Sequence, residues 1–417
     1  ITWYRQVLGN RLRRWLAPAA SSYAGVPGGQ VGAAMLATPP AAAAPLASLP
    51  LETPAVSAVT DGPVTGVAPP TGLRVLLVDE YIPMPDRDSG SLRAWEILKI
   101  LVSLGCQVTW AAHKPVLPGR YTEQMEALGI RCLHQHNTPD FAAWLHQPDQ
   151  VFDAVVLSRA PVAEVYLGLM RRRFPQAMVI FDTVDLYFVR EARAAQLRNQ
   201  PLGFEEQRRR LVEVATARFA DVTWVVSEAD RAQLLAQDAT IQTEVVSNIV
   251  LSALTPLPFA QRSGIAFLGG FWHQPNVDAV LYYLQEIHPK VREQLPGVVF
   301  YVLGSHPNAE ILAQASEDVI ITGYLPDLEP CFSALRVFVA PLRYGSGVKG
   351  KINTSLSFGV PVVTTHIGAE GMALRDGTEA LLADDPADFA RAVVRLYQDE
   401  RLWERLRTAG AALLTQR

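Results

Sequence analysis

From residue 73 onward, short β-branched and apolar runs alternate with helix-length stretches whose apolar positions recur three or four residues apart. The runs at 73–79 (LRVLLVD), 107–111, 154–157, 178–181 and 222–226 predict buried strands, with helices between them at segments such as 121–128 and 201–220. Another helix is predicted to start near Ser89–Ser91, because Leu92, Trp95, Ile97, Leu98 and Leu101 share helical spacing. A second series opens after Gly264 with IAFLGG and continues through VVFYVLG, VIITG, VFVAPL and VPVVTT. Two doubly wound parallel-sheet domains follow, an α/β architecture in which ligands bind in a cleft at the strand carboxyl ends. Residues 245–256 are the expected crossover. Residues 396–416 are expected to form one terminal helix that packs back on the first domain.

The densest signal is 337–365, VFVAPLRYGSGVKGKINTSLSFGVPVVTT, which predicts strand, glycine loop, helix and strand. Gly345, Gly347 and Gly350 break the apolar run within six positions. Ile352 and Leu356 then stand one turn apart, and Gly359 falls where a helix C-cap glycine belongs. This order places free backbone N–H groups, a helix N-terminus and the ammonium groups of Lys349 and Lys351 at the end of a buried strand. Such a site suits a phosphate or diphosphate.

Before residue 73 the pattern is different. Residues 2–16 predict a short basic amphipathic helix, either a membrane-surface foot or an element docked on a neighbouring domain. Residues 17–72 hold 10 of the 30 prolines, many alanines, and only Glu52 and Asp61 as charges. Without a periodic apolar face to offset its ordering entropy, this stretch is expected to be a linker. The expected division is therefore 1–16, 17–72, an N-terminal domain at 73–250 and a C-terminal domain at 251–417.

Composition narrows the function. With 49% hydrophobic and 19% charged residues and a net charge of −4, the chain is an ordinary globular protein without the basic face that nucleic acid requires. Cys106, Cys132 and Cys331 match no metal spacing and suit a reducing compartment. No apolar run reaches the ~18 residues of a membrane span. The expected location is cytoplasmic, with peripheral contact at the inner membrane face left open. The chain begins with Ile, so a trimmed chain and membership of a longer multidomain protein both stay open. Asp86 and Asp88 form an Asp-x-Asp pair, but short acidic pairs are common by chance. Neither a His/Cys zinc cluster nor a Gly-x-Ser-x-Gly elbow is present.

The ordered motifs FLGGFWHQPNVDAVLYYL, YVLGSHP, ITGYLPDLEP, VFVAPLRYGSGVKGKI, GVPVVTTHIGAEGM and LLADDPADFA resemble the nucleotide-binding half of glycosyltransferase family 4, which has the GT-B fold. LRVLLVDEYIPMPDRDSGSLR, FDTVDLYFVREAR and ADVTWVVSEAD extend a weaker likeness over the first half. The resemblance implies a retaining glycosyltransferase, with the nucleotide-sugar on the C-terminal domain and a glycan, lipid-linked or polysaccharide acceptor on the N-terminal one. It implies no cofactor beyond the donor and no metal. Two family glutamates eight positions apart correspond to Ser346 and Thr354 here, and a frequent family arginine corresponds to Gly270. A catalytically silent nucleotide- or glycan-binding module and a sugar-nucleotide epimerase of the same architecture stay open.

Within this frame Lys349 and Lys351 are expected to neutralise the leaving diphosphate, and Asp185 to assist at the acceptor hydroxyl or the sugar. The donor side is expected to comprise Gly270, His273, Gly304, Ser305, Tyr324, Arg343, Gly345, Ser346, Gly347, Val348, Gly350, Asn353, Thr354 and Glu370. The acceptor side comprises Ser89, Gly90, Ser91 and Asp182. Simpler roles stand beside these: helix capping for Ser89, Gly90, Ser91 and His273, and an N-cap or an ion pair with Arg190 or Arg193 for Asp182 and Asp185.

Overall fold

The computed structural model describes residues 72–250, 253–255 and 257–415. The basic amphipathic segment and nearly all of the linker lie outside them. The first sheet has strands β1 (Arg74–Asp79), β2 (Gln107–Ala112), β3 (Arg131–Cys132), β4 (Ala154–Ser158), β5 (Met178–Asp182), β6 (Val222–Val225) and β7 (Thr243–Val245). Their order is β3-β2-β1-β4-β5-β6-β7, with parallel registers such as Val75↔Ala154 and Ser158↔Asp182. The second sheet has β8 (Ser263–Leu268), β9 (Phe300–Leu303), β10 (Val319–Gly323), β11 (Leu335–Ala340), β12 (Val362–Thr364) and β13 (Leu381–Leu382), in the order β10-β9-β8-β11-β12-β13. Both are parallel and wrapped by helices, as the alternation of patterns predicted. β3, β7 and β13, at two, three and two residues, are too short to show a hydrophobic period.

The continuous apolar runs are explained by burial on both faces of the sheet. Along β8, Ile265 and Phe267 enter one cluster while Ala266 enters the opposite one. Along β11, Val337 and Val339 lie on the first side and Phe338 and Ala340 on the other. Successive side chains of a strand point to opposite faces, so each strand contributes to two cores.

The described residues form two compact units. One comprises 72–83, 94–182 and 216–223; the other comprises 84–93, 183–215 and 224–415. Segments 84–93 and 183–193 therefore group with the C-terminal sheet, and the candidate site is built inside this second unit.

The expected terminal helix is present as Glu400–Thr415, but it starts four residues later, at a break from the Pro386–Gln398 helix where the Asp399 carboxylate accepts from Leu402 N at 3.0 Å. Leu402, Trp403 and Leu406 are buried in the core of the second unit. Gly410 sits close against Leu356 of the Gly350–Ser357 helix, so the last helix buttresses that element. No described helix is long and apolar enough to cross a membrane.

Candidate anion site at the carboxyl end of β11

β11 delivers the chain into a loop that turns at Gly345 (φ 146) and Gly347 (φ 68) before the Gly350–Ser357 helix begins. The Gly347 amide donates to Asp230 Oδ1 at 3.3 Å, and Asp230 is itself held by the Ser227 hydroxyl at 2.7 Å. No side chain caps the helix and its first turn carries no acid. Its N-terminus, with the positive end of the helix dipole, therefore stays available to an anion. At the other end, the Gly359 amide donates to Leu356 O at 3.1 Å and the Val360 amide to Ser355 O at 3.0 Å, which closes the helix at the expected glycine.

A second helix start approaches the same point. Any Cβ on Gly350 would overlap Ser89, the first residue of the Ser89–Ser103 helix. Only glycine lets the two N-termini meet this closely. Asp88 caps the Ser89 helix through Ser91, taking its amide at 2.8 Å and its hydroxyl at 2.6 Å. Asp88 thus has the capping role and Ser91 is the residue it holds, while Ser89 lies against the glycine loop.

The two lysines differ in setting. Lys349 is buried and turned onto its own loop, its Nζ donating to Gly347 O at 2.5 Å and Ser346 O at 3.3 Å. Burial pulls its pKa down to about 8, against the opposing pull of Glu370 and Asp230. Lys351 Nζ donates to Asn276 Oδ1 at 2.7 Å and lies 5.3 Å from the Phe267 ring centroid. Desolvation of its ammonium and the neighbouring Lys349 charge lower it to about 7. The Asn276 amide donates in turn to Gly270 O at 2.8 Å, tying Lys351 to the loop after β8. His273, at the N-cap of the Gln274–Tyr282 helix, is lowered to about 4 by burial and by Arg190, and is therefore neutral at pH 7.

Around the loop stands a polar frame. Asp185 pairs with Arg190 and accepts from the Ser346 hydroxyl at 3.1 Å. The adjoining Val184 has φ 61, a strained conformation for a β-branched residue. Arg193 holds Glu370 with two bonds of 2.7 Å and also donates to Gly345 O at 2.7 Å. This guanidinium keeps the Glu370 carboxyl below its usual range.

The remaining candidates divide. Gly304 and Ser305 follow β9 and join the loop after β8 through Phe271 N to Ser305 O at 3.0 Å. Asn353 is buried with no partner for Oδ1, whereas the Thr354 hydroxyl turns back to Gly350 O at 3.1 Å. Val348 packs into the core of the second unit. Arg343 is engaged by both oxygens of Asp278, and Tyr324 donates to Asp86 Oδ2 at 2.7 Å. Asp182 belongs to the other unit, where it accepts from the Ser158 hydroxyl at 3.3 Å and lies near the Asp79–Arg159 pair. Asp230 and Asn276 carry weight that the sequence pattern did not assign them, and Arg193 pairs with Glu370 and Gly345 rather than with Asp182 or Asp185. Asp230 had a local signal, the Ser227-x-x-Asp230 spacing of a helix start. Arg193 had none, because its partners lie 152 and 177 residues away.

The lysine settings give a pH dependence. Both ammonium groups lose their protons as pH rises through 7 to 8, and a bound diphosphate would restore them. Affinity for a nucleoside diphosphate is therefore expected to fall about tenfold or more from pH 6 to pH 9. Calorimetric titration at the two pH values checks this; equal affinities would mean that neither lysine meets the anion.

Residues 262–399 match the family described as Glycosyl transferases group 1. A Klebsiella pneumoniae protein described as uncharacterized and in a cps region is 25% identical over 139 residues, 31% of this chain; the match spans 36% of that relative's length. Among solved structures, sucrose-phosphate synthase from Thermosynechococcus elongatus has a TM-score of 0.62 at 15% identity, covering 82% of this chain and 94% of that one. Anabaena HepE in complex with UDP and glucose has a TM-score of 0.62 at 13% identity, covering 83% and 95%. A Rickettsia africae glycosyltransferase has a TM-score of 0.56 at 12% identity, covering 82% and 93%. Residues 262–399, which carry the glycine loop, both lysines and Glu370, are thus a glycosyl transferases group 1 domain in a chain with the GT-B fold.

Proposed function

We propose that this protein is a retaining glycosyltransferase that moves a sugar from a nucleoside-diphosphate sugar to a glycan, lipid-linked or polysaccharide acceptor. The observation that carries it is the uncapped N-terminus of the Gly350–Ser357 helix with Lys349 and Lys351 at the end of β11, inside the group 1 domain and met there by the start of the Ser89 helix. The UDP and glucose in the Anabaena structure support a donor of that kind. In the proposed step the bond from the anomeric carbon to the β-phosphate oxygen breaks, and the bond to the acceptor oxygen forms on the same face. The acceptor proton passes to the departing phosphate. The charge that develops on the diphosphate is met by helix-terminal amides and the two ammonium groups, which do the work of a metal. Asp185, steadied by Arg190 and Ser346, is placed to stabilise positive charge on the sugar. The N-terminal sheet holds the acceptor, and the protein works in the cytoplasm.

One observation favours a second reading, a catalytically silent binding module. Ser346 and Thr354 carry hydroxyls in place of carboxylates, and both hydroxyls are already engaged, with Asp185 and with Gly350 O of the same helix. A thermal-shift screen of nucleoside diphosphates and their sugars, followed by product analysis with and without glycan acceptors, separates the readings. A ligand present at 100 times its Kd stabilises the native state by about 2.7 kcal/mol, a readily measured rise in Tm. Transfer with the anomeric configuration kept supports the proposal, and binding without any turnover supports the silent module. Product without acceptor would indicate an epimerase. If no nucleotide raises Tm, both the transferase and the nucleotide-binding readings fall.

A further inference from the structure

Six tryptophans lie among the described residues, and five of them are buried or half-buried. Trp272 is 46% exposed. An indole left in water forgoes much of the burial energy that a large aromatic can contribute, so the way this ring is held matters. It stands in the loop after β8, between Phe271, which is tied to Ser305, and His273; the same loop is tied to Lys351 through Asn276, which donates to Gly270 O at 2.8 Å and accepts from Lys351 Nζ at 2.7 Å. A Cβ on Gly270 would come within 2.7 Å of the ring, so this glycine opens the space in which the indole lies. From the loop after β9, His306 meets the ring edge-to-face at a centroid distance of 5.2 Å and an interplanar angle of 70°. His306 does so at φ 58, a sparsely populated conformation for a residue with a side chain. Two loops, one glycine and one strained residue hold an aromatic plane open to solvent at the rim of the candidate site.

We propose that Trp272, braced by His306, is a carbohydrate-stacking platform that receives a pyranose ring of a bound glycan. The inference rests on the transferase reading and names a subsite for it. The electron-rich indole face attracts the polarised C–H groups on the apolar side of a pyranose, and the exposed indole offers that surface. A nucleobase also stacks on aromatic rings, but it ends its ligand and is normally closed into a pocket. A glycan continues past the site and leaves one side of its stacked ring in water, which suits an indole that stays almost half exposed.

The test is a glycan array probed with wild-type protein, Trp272→Ala and Trp272→Phe, alongside calorimetric titration of UDP, ADP and GDP. The wild type is expected to retain a set of glycans that Trp272→Ala binds about tenfold or more weakly and that Trp272→Phe keeps within about threefold. Nucleoside diphosphate affinity should be the same in all three proteins, which also shows that the variants are folded. The proposal is overturned if Trp272→Ala keeps the wild-type array profile, if the wild type retains no glycan, or if the variants lose nucleotide instead. If the wild type binds no nucleotide while Trp272→Ala still loses glycan, the platform stands and the donor assignment fails; thermal melts then serve as the folding control.

Discussion

Replacing Lys349 and Lys351 together by alanine is expected to lower donor turnover by about 10²- to 10⁴-fold while leaving the protein at least as stable as before. The first figure follows from removing two charge-assisted contacts to a diphosphate, each worth about 1.5–3 kcal/mol. The second follows from the direction of the pKa shifts. Folding lowers Lys349 to about 8 and Lys351 to about 7, below the ordinary lysine value, because burial removes their ammonium groups from water. The unfolded chain therefore binds more protons than the folded one between about pH 7 and the usual lysine range. The cost of these two charges is present in full below pH 7 and declines as pH rises across that window. Groups that weaken the empty protein are retained when a ligand needs them. Steady-state kinetics with thermal melts at pH 6.5 check both halves; unchanged turnover would remove the lysines from the donor site, and a fall in Tm would show that they act as structural supports.

Gly304→Ala is expected to be the most damaging single methyl in the second unit. Gly304 has φ 133, and an added Cβ would lie inside the carbonyl oxygen of Gly269, at a distance that no packing shift of a flexible side chain relieves. The backbone pairs around it, Gly269 N to Leu303 O at 2.9 Å and Gly304 N to Gly323 O at 3.0 Å, bind the loops after β8, β9 and β10 into one rigid ledge. Separating them should cost about 3 kcal/mol or more. In a unit of this size that corresponds to a fall in Tm of roughly 6–12 °C. Gly297→Ala is the control, since Gly297 has φ 76 with nothing near the added carbon, and about 1 kcal/mol is expected there. Equal shifts for the two variants would mean that backbone strain alone, and not the meeting of the loops, explains the Gly304 requirement.

The strand–loop–helix–strand order of 337–365 was legible because each part has a local cause: β-branched runs for β11 and β12, glycine for the loop, and Gly359 for the helix end. The two sheets were legible for the same reason, since a strand buried on both faces must be apolar throughout. The break at Asp399 is not legible, because an apolar period that continues through a break hides a capping aspartate.

The longer strands and helices, the glycine loop between β11 and its helix, and the family resemblance are all readable along the chain, because they depend on contacts a few residues apart or on motif order. Which charges that loop keeps is set by the fold. Arg193 reaches Gly345 and Glu370, Asp185 takes Arg190 and the Ser346 hydroxyl, Asn276 takes Lys351, and Asp278 takes Arg343. Most of these pairings span tens to hundreds of residues. Their strength depends on how far burial has removed each charge from water, and no local pattern of residues specifies that.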